Sequence, residues 1–509
     1  MTDTSVNNKR IAKNSLLLYI RTFFVMLISL YTSRVVLKVL GIEDYGIYNV
    51  VGGIVVMMGL LNGAMSVSTQ RFLTYELGKG NIENLKVVFS TSMLIYLMLC
   101  IILLFFGETI GVWFLNTHLV IPPERLKAAN WVFQLSIIAS MNTLLVNPYN
   151  ACIIAHERMN VYAYVSILDV SLKLFIVFLL PIVPFDRLIS YGSLILTCQL
   201  AITMIYRIYC MRNFLECHFV FVREKKIFKE ILSFSGWNLY GSVSTLLKTQ
   251  GLNIVINMFF SPVVNASRAI AVQVSHATSQ FFSNFYIAFR PQIIKYYAQG
   301  DIDNTYRLVL SSTRYSYYLM LLVSFPILLM TPEIINLWLG QSPSYSILFT
   351  RLILLITIVD STSHPLMTLA QAIGKLKVYQ TTVSTVLLLN VPLSYCFLKV
   401  GYAPDTVFWI SLLLSIICLI LRVFLINRLV DFPVIRYFIQ LIIMSTVTIV
   451  AVVIPFICYN MLPHTIAYLI IILILCLLST TISVFYFGIT SQERKMLINI
   501  IKKRLLKND

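Results

Sequence analysis

Residues 77–92 read LGKGNIENLKVVFSTS, and residues 297–312 read YAQGDIDNTYRLVLSS. Gly80-Asn81-Ile82-Glu83-Asn84 aligns with Gly300-Asp301-Ile302-Asp303-Asn304, 220 positions on. Each copy is a small charged connector between two apolar runs. Further along, Glu108 and Trp113 (ETIGVW) match Glu333 and Trp338 (EIINLW) at an offset of 225. Then Pro148, Ala155 and Tyr162 match Pro365, Ala372 and Tyr379 at 217. Three matches in order imply two copies of one unit, with the drift in offset taken up by loops.

Composition sets the class. Of 509 residues, 58% are apolar and only 12% charged, and the mean hydropathy is +0.84. A soluble domain carries about 25% charged residues. The apolar residues fall into runs of about 20, the length a helix needs to cross the hydrocarbon core. The chain reads as an all-α polytopic membrane protein. Fourteen spans are expected, at 15–37, 45–67, 87–107, 128–150, 161–183, 188–207, 233–258, 265–289, 308–331, 348–372, 378–398, 406–427, 437–458 and 465–488.

The repeat then covers spans 1–6 and 7–12. Six is even, so both copies enter the membrane in the same sense and the repeats are parallel. Transporters built this way hold substrate between halves that rock. The expected organisation is an N-terminal six-helix lobe (1–210), a cytoplasmic linker (211–232), a C-terminal six-helix lobe (233–428), and two extra helices with a basic tail (429–509).

Orientation follows from the basic residues. With the N-terminus inside, only Lys38, Arg125, Lys127, Arg187, Arg351 and Lys399 are external, and Arg21, Arg34, Lys173, Lys248, Arg268 and Arg314 lie within spans. The remaining 27 of the 39 Lys and Arg are cytoplasmic, which places both termini inside. It also accounts for most of the +18 charge without nucleic acid, since these residues face anionic headgroups. The first span lacks the short apolar core and small-residue cleavage site of a signal peptide. The nine cysteines sit mostly in apolar runs and show no metal-ligand spacing, so no metal site is expected.

SRVVLKVLGIEDYGIYNVVGGI (33–54) followed by QRFLTYELGKGNIENLKVVFS (70–90) resembles the start of polysaccharide-repeat flippases. These are the O-antigen and capsule transporters of the multidrug/oligosaccharidyl-lipid/polysaccharide exporter superfamily. The resemblance covers the whole chain in topology and is sharpest over residues 15–95. It implies a transporter, not an enzyme, that carries an undecaprenyl-pyrophosphate-linked oligosaccharide across the bacterial inner membrane. Membrane lipids, and a polysaccharide polymerase with chain-length proteins, are the partners it points to. A peptidoglycan-precursor (lipid II) flippase and a drug/cation antiporter of the same superfamily are the alternatives.

Such a substrate needs a path for a diphosphate. Against the six cations within spans stand only Asp169 and Asp360. Intramembrane charge is costly and faces a bundle interior or a cavity. Arg34 and Arg314 lie near span ends, where snorkelling is cheap, and Asp169 and Lys173 are spaced to pair on one helix face. That leaves Arg21, Lys248 and Arg268 as lining for a cationic cavity. At 100° per residue, Arg268, Ser275, Ser279, Tyr286 and Arg290 form one polar stripe along the eighth span. Such a stripe also serves helix packing. Gly241, Ser244, Thr245 and Lys248 share a face of the seventh. At the repeat offset the first copy has Tyr48 and Ile28 where the second has Arg268 and Lys248, so the cations are not duplicated.

Energy coupling has two readings. Asp360 and His364, four apart in DSTSHP, either exchange H⁺ or Na⁺ or form a structural hydrogen-bonded pair before Pro365. No cofactor is expected, and no Walker A loop is present. Spans 13 and 14 carry no Lys, Arg, Asp or Glu between Arg436 and Glu493. They read either as lipid-facing helices or as a groove for a prenyl tail. A membrane glycosyltransferase would use acids in the first external loop, where Glu43 and Asp44 lie, but no large external domain follows.

Overall fold

A computed structural model describes residues 2–56, 59–117, 121–220, 224–260, 262–339, 343–461, 466–491 and 493–495. Among them every regular element is helical. In hydrocarbon a helix satisfies its own backbone, so this is what the apolar runs dictate. The helices are α1 (Thr2–Val56), α2 (Gly59–Lys79), α3 (Ile82–Phe106), α4 (Val112–Thr117), α5 (Pro123–Ala155), α6 (Met159–Leu179), α7 (Arg187–Asn213), α8 (Lys225–Phe259) and α9 (Pro262–Ala298). They continue as α10 (Ile302–Leu329), α11 (Thr331–Leu339), α12 (Ser346–Ile373), α13 (Leu376–Leu388), α14 (Asn390–Lys399), α15 (Thr406–Leu429), α16 (Val434–Met461) and α17 (Ile466–Ser483).

These segments follow the expected spans closely, with three departures. The connector between the first two expected spans is a break inside α1 at Gly41, where φ is 83°. The eleventh span is two helices, α13 and α14. The ninth is α10 and α11, bent by 74°. Among the described residues nine spans pass a test of length and hydropathy, or ten with the bent pair. The helices α8 and α9 fall short because Asn, Gln, Ser and Thr punctuate them.

The repeat is visible in the backbone. At the end of α2, Gly80 N–H donates to Leu77 O at 3.2 Å and Asn81 N–H to Glu76 O at 3.2 Å. At the end of α9, Gly300 and Asp301 donate to Tyr297 O and Tyr296 O at 3.1 and 3.0 Å. Both are Schellman caps closed by a left-handed glycine, with φ of 70° at Gly80 and 75° at Gly300. Likewise Pro148 lies inside α5 and Pro365 inside α12. Two residues past Ala155 and Ala372 the chain again turns left-handed, at Glu157 (φ 59°) and Gly374 (φ 86°).

Packing divides the chain into two compact units. The first holds Met1–Val243 and Ile287–Asp301, the second Ser244–Tyr286 and Ile302–Asp509. The division passes through α8 and α9. In the first unit α5 packs on α7, α2 and α1. In the second, α12 packs on α10 and α15, with a core of Ile256, Phe349, Leu352 and Val407. The last two helices seat against α10, burying Ile472 and Cys476 beside Leu321 and Phe325. Their outer faces, with Ile470, Ile471 and Ile474 about half exposed, are what a helix presents to lipid.

Candidate functional site

The second unit brings charge together deep in the bundle. Asp360 (α12) lies within electrostatic reach of Lys248 (α8) and Arg422 (α15), and beside Ser415. Among the described residues Asp360 makes no ion pair within 4.0 Å. All three charged side chains are partly buried. Arg422 donates to Tyr379 Oη at 2.6 Å and lies 5.6 Å over that ring. Tyr379 is almost fully buried, which fixes the seat. The sequence reading missed Arg422 by assigning it to the cytoplasmic end of span 12. The signal available was its place seven residues before the end of α15.

His364 faces elsewhere. Its ring packs 4.7 Å from Phe282 and 5.4 Å from Tyr286, and it makes no bond to Asp360. The expected hydrogen-bonded pair is therefore not formed, because aromatic rings of α9 occupy the histidine's side.

The cations divide between the units. Arg268 is buried and donates to Thr249 O at 2.6 Å and Asn253 Oδ1 at 3.2 Å, one and five residues beyond Lys248 on α8. It has partners across the helix pair, contrary to its isolation in sequence. Arg290, on the same predicted stripe, belongs to the first unit and donates to Val67 O at 3.2 Å. Much of the stripe between them packs: Ser275 bonds Thr357 at 2.9 Å, and Tyr286 accepts from Thr368 at 3.2 Å. Arg21, in the first unit, lies 4.9 Å over the Tyr162 ring. Its Nε has no hydrogen-bond partner.

Other charges are structural. Lys173 bridges Asp169 at 2.8 Å, one turn apart as spaced. Arg314 is held by Glu493 at 2.5 Å, which Tyr315 Oη also reaches at 2.6 Å, so it does not snorkel unpaired. The side chain of Arg34 lies outside the described residues. Asp44 is engaged by both Nε and Nη2 of Arg125, whose Nη1 reaches Asp186 at 2.6 Å. This acid of the first connector is thus part of an ion triad. Burial pushes the Asp186 carboxyl up, but the N–H groups of Ile189 and Leu188 and the Arg125 guanidinium outweigh it. They hold it below the usual carboxylate range.

The apolar helices and their internal repeat define a class: polytopic all-helical membrane proteins built on a repeated unit. The fold is that of MATE transporters. A multidrug resistance MATE family transporter of the MOP superfamily, in an outward-facing conformation, superposes with a TM-score of 0.71 at 15% identity, over 83% of this chain and 97% of its own. A MATE in the bent conformation gives 0.72 at 15%, over 83% and 96%. A MOP superfamily transporter from Pyrococcus furiosus gives 0.69 at 15%, over 83% and 96%; it is described by a reverse polarity of its binding pocket that suggests a different function. No protein-family model matches the chain. No curated protein matches it either.

Proposed function

We propose that this chain is a flippase that moves an undecaprenyl-pyrophosphate-linked oligosaccharide repeat unit across the bacterial inner membrane. It works by alternating access, with Asp360 coupling the cycle to H⁺ or Na⁺ and both termini in the cytoplasm. The observation that carries this reading is the charge balance around Asp360. Two cations, Lys248 and Arg422, lie within electrostatic reach of one carboxylate, so the cluster carries a net positive charge that suits an anionic group of the substrate. Arg422 offers a planar fork for phosphate oxygens, and Lys248 a point charge.

A drug/cation antiporter is the second reading, favoured by the multidrug MATE transporter among the structural neighbours. The Pyrococcus furiosus protein bears on the choice, since its pocket is described as reversed in polarity. The two readings separate in proteoliposomes. Purified protein should speed transbilayer movement of an undecaprenyl-pyrophosphate oligosaccharide under an ion gradient, and should not accumulate ethidium. Ethidium accumulation without movement of the lipid-linked sugar would establish the antiporter instead. Movement of lipid II in preference to the oligosaccharide would reassign the substrate.

A further inference from the structure

The turn between α5 and α6 carries a residue that local geometry disfavours. Glu157 sits at φ 59°, in the left-handed region. A side chain with a Cβ is uncommon there, and the matching position of the second copy is Gly374. Such a conformation persists only where surrounding contacts over-determine it. The Glu157 carboxylate is almost fully buried, at 1% exposure. Arg10 of α1 reaches it through Nε at 2.8 Å and Nη2 at 3.2 Å. From α9, Lys295 Nζ lies at 3.0 Å and Gln292 Nε2 at 2.8 Å. All four residues belong to the first unit.

The turn is a fixed post. His156 Nε2 is 2.5 Å from Glu216 Oε1, and its ring stacks on Phe214 at 4.1 Å. What the carboxylate fastens is therefore the start of α1 and the end of α9. Beside the ion pairs, Leu77, Tyr296 and Gln299 line a recess of about 290 Å³. Arg10 and Lys295 are 45% and 25% exposed, so water reaches the cations and can receive them when they let go. A left-handed glycine would close this turn with less strain and could not hold either helix.

We propose that Glu157 is an ionic latch, tying the start of α1 and the end of α9 to the α5–α6 turn and releasing them when α9 moves. Removal of one partner from a buried ion pair leaves uncompensated charge, so the latch is strong when closed and fails as a unit. The latch does not depend on which substrate is carried.

Hydrogen–deuterium exchange of the full-length protein in nanodiscs tests it, comparing wild type with Glu157→Gln and Glu157→Gly. Glycine suits the turn, so any loosening in that variant comes from the lost carboxylate and not from backbone strain. Exchange over residues 287–301 should rise on the order of tenfold in both variants, well beyond any rise over 434–461. Lys295→Gln should show the same pattern at reduced size. Exchange within twofold of wild type at 287–301 in Glu157→Gly would overturn the latch. So would a rise of equal size throughout the chain, which would mark Glu157 as a general fold contact. Neither result touches the proposed substrate, because transport is not read.

Discussion

Tyr162 and Tyr379, 217 positions apart at matching places in the repeat, each carry an arginine. Arg21 of α1 lies 4.9 Å over the Tyr162 ring, and Arg422 of α15 lies 5.6 Å over the Tyr379 ring. The repeat kept the aromatic seat while the cation came from a different helix in each half. Only the second seat adds a hydrogen bond, at 2.6 Å. We predict that Tyr379→Phe, which keeps the ring and removes that bond, lowers stability by about 1.5–3 kcal/mol and slows transport. Arg422→Lys should slow it further, since an ammonium cannot replace a fork. Thermal unfolding in detergent alongside a flux assay would check both. Wild-type flux in both variants would remove Arg422 from the site.

Arg268 serves two ends at once. Its guanidinium ties α9 to Thr249 and Asn253 of α8, so Arg268→Ala leaves those acceptors unmatched. A loss of about 1–3 kcal/mol is expected on that account alone. Arg268→Lys keeps the charge and should keep part of the activity, whereas Arg268→Glu should abolish flux at normal protein levels. Arg21→Ala and Lys248→Ala should reduce flux with smaller effects on melting. If all three alanine variants transport at wild-type rates, the cationic path is wrong.

Asp360 and His364 should part company under mutation. Asp360 lies within electrostatic reach of Lys248 and Arg422, while His364 packs on Phe282 and Tyr286. Asp360→Asn should stop ion-coupled transport and leave folded protein in the membrane. His364→Phe should retain flux, because a ring of similar size fills the same aromatic pocket. Loss of flux in His364→Phe with an unchanged melting temperature would return the histidine to the coupling site.

What the sequence made legible was what is local or periodic. Apolar runs marked the helices, and the Gly80 and Gly300 connectors marked the repeat, because a Schellman cap needs a glycine at a set place. Asp169 and Lys173 were readable since a helix brings i and i+4 together. Pairings across helices were not. Arg314 with Glu493, Arg125 with Asp44 and Asp186, and Arg268 with α8 depend on packing that no spacing rule encodes. Arg422 was passed over because helix ends blur by a turn. Glu157 lies in the polar connector HERMN (156–160), where nothing but its backbone angle and its burial sets it apart.

Gly78 marks where α2 and α9 come closest. A Cβ placed there would stand 2.8 Å from Ala298 Cβ and 2.9 Å from Lys295 O. The second contact is with backbone, so no side-chain rotation relieves it. We predict that Gly78→Ala destabilises the protein by about 1–3 kcal/mol and Gly78→Val by more. Gly236→Ala is the control: nothing lies within 4 Å of a Cβ placed there. Equal melting temperatures for Gly78→Ala and wild type would show that α9 is not held this close.

The triad at the α7 start predicts a pH response of known sign. The folded Asp186 carboxyl is held below its unfolded value of about 3.9, so its contribution is present above that pH. It is lost as pH falls through 3.9 toward the folded value. Asp186 also caps α7, accepting from Leu188 and Ile189 N–H at 3.0 and 3.1 Å. Asparagine caps a helix about as well as aspartate, so Asp186→Asn removes the charge and keeps the cap. The wild type should lose melting temperature between about pH 5 and pH 3, and Asp186→Asn should lose less over the same window. At pH 7 the variant should be less stable by about 1 kcal/mol at most, since the pair is partly exposed and screened. Asp186→Ala gives up the cap as well and should fall about 1 kcal/mol further at every pH. Parallel pH profiles for wild type and Asp186→Asn would mean that the Arg125 contact adds nothing to folding.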